Sequence, residues 1–123
     1  MRKDDDCIRE MLAALEQLLE LRRNPEAERL LVENRSFRHS VFFEFVVIGE
    51  EVARLSEGLR ERHPIIPWQR ISSFRHRVAH AYFGLSLPFV LQLWTDEVPR
   101  LRAQLLAILA ADFPEMDSHG PQD

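Results

Sequence analysis

Apolar residues recur at helical spacing along most of the chain. Ile8, Met11, Leu12, Leu15, Leu18 and Leu19 predict an amphipathic helix over residues 4–23. Asp4, Asp5 and Asp6 at its start and Arg22 and Arg23 at its end suit the helix dipole. Asn24-Pro25 ends it, and a short helical turn over 25–33 follows, with Leu30, Leu31 and Val32 as its apolar face. Val41, Phe42, Phe45, Val46, Ile48, Val52, Leu55 and Leu59 predict a long second helix over 36–62, closed by Pro64. Gly49 interrupts that stripe at a cost of about 1 kcal/mol relative to alanine, which marks a close backbone approach. Trp68, Ile71, Phe74 and Val78 predict a third helix over 67–83, begun at Pro67 and stopped by Gly84. Pro88 opens a fourth, bearing Phe89, Leu91, Leu93 and Trp94. Pro99 predicts a kink or break near 97–98, before a last segment over 100–111.

These elements make an all-α bundle of four to five helices in one domain, residues 1–112, with a disordered tail over 113–123. Composition agrees. Four glycines in 123 residues and an abundance of Leu, Glu, Arg and Ala favour helix. The single cysteine, Cys7, forms no internal disulfide and fits a reducing cytoplasm. No apolar run approaches the roughly 18 residues that cross a membrane, and the start MRKDDDCIRE lacks a signal peptide's apolar core. The expectation is a cytoplasmic protein away from membranes.

Charge is unevenly placed. The net charge of −4 argues against a general nucleic-acid coat, DNA included. Yet residues 60–80 carry Arg60, Arg62, Arg70, Arg75 and Arg77 against the single acid Glu61, with His63, His76 and His80 among them. The densest stretch is FRHRVAHAYF at 74–83, where Arg75, His80 and Tyr82 form R-x4-H-x-Y and His76 follows the arginine. A permanent cation, two imidazoles and a phenol within eight residues are groups that handle phosphate and protons. A basic, solvated helix face is the plain alternative.

The run from Ile48-Gly49-Glu50, through HPIIPW at 63–68, to RHRVAHAYF at 75–83 resembles the HepT-like branch of the HEPN superfamily. Leu93-Trp94 and the VPRL at 98–101 echo that family's closing helix, so the resemblance covers about residues 4–110. It implies a HEPN-type bundle and a twofold homodimer with the motif helices facing each other. It also implies the toxin of a type II-like toxin–antitoxin pair, a metal-independent endoribonuclease acting on tRNA or mRNA without a cofactor. Arg75 and His80 match the catalytic pair, and Tyr82 matches the tyrosine that a cognate minimal nucleotidyltransferase antitoxin modifies with AMP. The family usually carries asparagine after the arginine, where this chain has His76; the wider superfamily accepts asparagine, aspartate or histidine there.

Metal-free RNA cleavage needs a base for the 2′-hydroxyl proton, a cation for the developing phosphorane charge and an acid for the leaving oxygen. These requirements suit His80 as principal acid/base, Arg75 as charge stabiliser and His76 as a candidate second proton carrier; Glu50 is read separately as orienting a basic group near the motif. At about 100° per residue, Arg75 and His80 lie roughly 140° apart, whereas His76 and His80 share a face. Either Arg75 reaches around with its long side chain, or a twofold dimer supplies arginine from one chain and histidine from the other; a composite cleft at the dimer interface is the preferred reading. Other readings stay open at this stage. His76 and His80 at i, i+4 suit two zinc ligands, though no third is evident; Tyr82 suits the core; Glu50 suits a solvated face. Trp68 and Trp94 read as core, and His39, His63 and His119 as surface. The competing function is a non-catalytic helical subunit that binds nucleotide or substrate for a nucleotidyltransferase complex.

Overall fold

A computed structural model describes residues 3–84 and 87–114, with the backbone alone at 81–84. Among the described residues the chain is all-α and contains no strand. Helix α1 spans Asp4–Arg22, α2 Ala27–Glu33, α3 Arg35–Arg54, α4 Glu57–Arg62, α5 Trp68–Ser72, α6 Phe74–Gly84, α7 Leu87–Gln92 and α8 Val98–Asp112. The long helices pack in the order α8, α1, α3, α6, and the shorter ones brace them. Ile8, Met11, Leu15 and Leu18 of α1 meet Val41, Phe45, Ile48 and Val52 of α3, with Leu101, Leu105 and Ile108 of α8 completing one continuous core. Burying each such side chain stabilises the fold by about 1.5–3 kcal/mol.

The expected long second helix is two helices. Leu55 is extended, and the Ser56 hydroxyl accepts from the Leu59 amide at 3.2 Å to cap α4. Asp4 holds this break from across the bundle, its carboxylate accepting from the Ser56 amide at 2.8 Å and from the Ser56 hydroxyl at 2.6 Å. An N-cap serine inside a periodic stripe was the signal that periodicity hid. The expected third helix also divides, at Ser73, where the Ser72 and Ser73 hydroxyls donate back to the Gln69 and Arg70 carbonyls. Such back-bonding bends helices. On α2, Ala27 and Leu31 form the inward face, while Val32, placed on that face from its sequence, is 57% exposed.

Pro99 does not break its helix. Leu93–Glu97 widens into a π-turn, with the Val98 amide bonded to the Leu93 carbonyl, and α8 continues beyond it. The wider turn relieves the clash of the proline ring with the preceding turn. Trp94 within it is buried and donates from Nε1 to the Leu18 carbonyl at 2.7 Å, tying the bulge to α1. Trp68 is buried too. Its indole donates to the carbonyls of Arg60 at 3.2 Å and His63 at 3.0 Å, satisfying the last acceptors of α4.

His63 is not the surface residue expected. It is half-buried and its Nε2 lies 2.9 Å from Asp112 Oδ2, with Arg62 at 3.3 Å from the same oxygen. The cluster ties the end of α4 to the end of α8. Beyond it, Phe113 packs against the core. The disorder expected of the tail falls mainly on residues 115–123, which lie outside the described residues, as does His119.

The hydrogen bond from His63, with Arg62 beside it, holds the Asp112 carboxyl below its ordinary value despite the opposing effect of burial. A depressed carboxyl contributes stability above its unfolded value and loses it as pH falls through the folded one. Asp112→Asn is therefore expected to cost about 1 kcal/mol near neutral pH and little in strong acid. Urea unfolding at both pH values checks this; an equal loss at both would show that the charge is irrelevant.

Candidate active site

The motif helix α6 is set by what lies inward. Phe74 and Val78 are each 1% exposed, and the Phe74 ring meets Phe45 edge-on at 5.8 Å. Gly49 of α3 lies directly behind the start of α6. A Cβ there would sit 3.0 Å from the Ser72 carbonyl oxygen and 3.3 Å from the Arg75 amide nitrogen, so the close approach read from the sequence is real.

With Val78 facing the core, helical rotation distributes the rest. His76 and His80 point away from the core within about 20° of its opposite side, Arg75 falls on one flank and Arg77 on the other. The flanks have different neighbours. Arg75 Nη1 donates to Glu50 Oε1 at 2.7 Å, one residue from Gly49 on α3. Both side chains are more than a third exposed, so the pair is worth about 0–1 kcal/mol at most and matters chiefly for aim. Arg75 also lines a cleft of about 460 Å³ with Ala53, Arg60, Gln69 and Ser72. On the other flank, the Arg77 guanidinium lies 4.8 Å from the centroid of the Phe89 ring.

His76 and His80 line a second cleft of about 480 Å³ together with Arg77 and Phe89. The structure thus brings the two histidines together, as the i, i+4 spacing predicts, and brings Glu50 to Arg75. Arg75 lines one of these two clefts and His80 the other. The backbone of Tyr82 lies in α6, two residues beyond His80; its side chain is outside the described residues. No three histidine, cysteine or carboxylate groups converge as a metal site among the described residues. Sequence reasoning passed over Arg77 and Phe89. Phe89, named only among the apolar residues of the fourth helix, is half-buried, packed against the core and lining the histidine cleft.

An all-α bundle whose R-x4-H helix turns its histidines outward, with a glycine contact and a glutamate on the neighbouring helix behind its arginine, fits the HEPN type of domain. The chain belongs to the HepT-like ribonuclease family, whose model, "Ribonuclease HepT-like", matches residues 11–108. It is 24% identical over 103 residues to a candidate ribonuclease HepT of Thermococcus cleftensis, covering 84% of this chain and 93% of that protein. A candidate RNase of Methanocaldococcus jannaschii is 25% identical over 100 residues, 81% of this chain and 82% of that one. Another, from Caldanaerobacter subterraneus, is 35% identical over 63 residues, which span 51% of this chain and 56% of that protein's length. No solved structure matches the chain. No helix among the described residues is long and apolar enough to cross a membrane.

Gly49→Ala tests the seating of α6. The substitution improves helix propensity by about 1 kcal/mol, but its methyl meets backbone atoms that cannot rotate away. Overpacking of this kind costs about 1–3 kcal/mol. The expected outcome is a net loss of about 1 kcal/mol in urea unfolding. A variant more stable than the parent would show that the contact is slack.

Proposed function

We propose that the protein is a metal-independent endoribonuclease acting as the toxin of a toxin–antitoxin pair. The observation that carries this reading is the pair of histidines aimed into one open cleft of the motif helix, in a chain of this family, with an arginine steadied by a glutamate on the adjoining flank. The relatives' names as RNases support it.

In this mechanism one imidazole takes the proton of a ribose 2′-hydroxyl, whose oxygen attacks the adjacent phosphorus. Arg75 supports the charge that builds on the phosphoryl oxygens, and a second imidazole protonates the departing 5′-oxygen. His80 is the principal acid/base and His76 the second proton carrier. The site is shared across a twofold homodimer, Arg75 of one protomer facing the histidine cleft of its partner. Regulation follows the motif: a cognate nucleotidyltransferase antitoxin attaches AMP to Tyr82, placing a bulky anion two residues from His80.

Cleavage of RNA by unmodified protein in excess EDTA is expected, with loss in Arg75→Ala and His80→Ala. Mixing the two inactive variants and allowing subunit exchange should restore about one quarter of the wild-type rate, since half the dimers are mixed and each has one intact site. No restoration would place both groups in one chain. Well-folded wild type that cuts no RNA would assign the motif to phosphate binding in a non-catalytic subunit.

His76→Ala should slow cleavage by roughly 100-fold and remove one limb of the pH–rate profile. An unchanged rate would strike His76 from the mechanism.

A further inference from the structure

Three features on the motif side of the molecule belong together. Arg77 and Phe89 line the cleft that holds His76 and His80, and both also line a larger neighbouring cleft of about 770 Å³ with Pro67, Trp68, Gln69 and Arg70. The stacked pair is therefore the ridge between the two clefts. Phe89 is half-buried and supported by the core, while Arg77 is exposed above it. Three other arginines on this side have acids: Arg70 lies 3.4 Å from Glu97, Arg100 3.3 Å from Glu97 and Arg75 2.7 Å from Glu50. Among the described residues no carboxylate pairs with Arg77; an aromatic ring holds it instead.

We infer that the Arg77–Phe89 pair is a nucleobase-stacking platform for single-stranded RNA. This rests on the ribonuclease reading and adds to it a residue pair that positions substrate. A guanidinium is planar and weakly hydrated, so one face packs on a ring while the other accepts a base. Sequence-tolerant RNA binding uses such stacks, which require bases already out of a duplex. Both clefts fall within the volume range of small-molecule sites. The nucleotide with the reacting 2′-hydroxyl sits in the histidine cleft and its neighbour in the larger one, with the base of that neighbour lying on Arg77. The cation sets phosphate and base on the same side without occupying either histidine.

The test measures binding of a short, fluorescently labelled single-stranded RNA to the His80→Ala protein, which holds RNA without cutting it. Arg77→Lys keeps the charge and removes the plane; Phe89→Leu keeps apolar volume and removes the ring. Each is expected to weaken binding about ten-fold or more, with thermal melting confirming the fold. The difference should vanish for an oligonucleotide made abasic at one particular position, found by moving the abasic site along the strand. Parental affinity in Arg77→Lys would overturn the platform, as would a loss that persists at every abasic position. RNA binding that depends on the pair, beside a wild type that cuts nothing, would uphold the platform and sink the nuclease. No RNA binding by the parent, with no cleavage by wild type, would sink both.

Discussion

The missing side chain at Gly49 is the constraint on which the site depends. A Cβ at position 49 would lie 3.0 Å from the Ser72 carbonyl oxygen and 3.3 Å from the Arg75 amide, so any larger residue needs the backbone of α5–α6 to give by a few tenths of an ångström. That approach fixes how deep the start of α6 sits, and Phe74 and Val78 then fix its rotation by burying their side chains. The cost of glycine inside a helix, about 1 kcal/mol, is small beside the apolar burial that the approach permits, about 1.5–3 kcal/mol for each large side chain. Depth and rotation together decide which residues of α6 reach solvent and in which directions.

The turn of α3 that admits the backbone also supplies Glu50. A salt bridge this exposed adds little to stability, but it removes rotamer freedom from a long side chain on the flank of the motif helix. Further upstream, the HPIIPW segment does similar work for α5. Pro64 and Pro67 limit the backbone, and the Trp68 indole closes α4 by bonding the Arg60 and His63 carbonyls. The aromatic residue at the end of that segment is thus a cap, 8% exposed at the wall of the larger cleft. Of the two rings described there, Phe89, half-buried under Arg77, is the more open.

Much of this was legible in the residues alone. Period-3.6 stripes located the core faces of α1, α3, α6 and α8, and the glycine at position 49 marked its own contact. The breaks at Ser56 and Ser73 were hidden because a bent helical path keeps nearly the same apolar periodicity; capping by Ser56 and back-bonding by Ser73 are local chemistry that periodicity does not register. The role of His63 depends on Asp112, 49 positions away, and the cation–π pair depends on α7 folding back beside α6. Neither leaves a short-range signal. Arg77 itself stood in plain view between the two histidines, but with no partner in sequence it read as one more basic residue on a solvated face.

The same rotation that exposes the histidines separates them from Arg75. On an α-helix with Val78 buried, positions 75 and 80 lie on different sides, and Glu50 holds the arginine on the α3 flank. If the five-residue spacing serves one reaction, the second group must come from another helix of the same kind, and a twofold axis supplies that helix with the complementary flank. Asymmetry between the flanks then becomes useful. The α3 side presents a directed cation, while the α7 side presents a ring and a stacked guanidinium beside the histidines. In the proposed dimer each cleft meets the first from its partner and the second from its own chain, so phosphate is held across the interface and the base within one protomer. Loss of the dimer would then remove charge stabilisation while leaving base stacking in place.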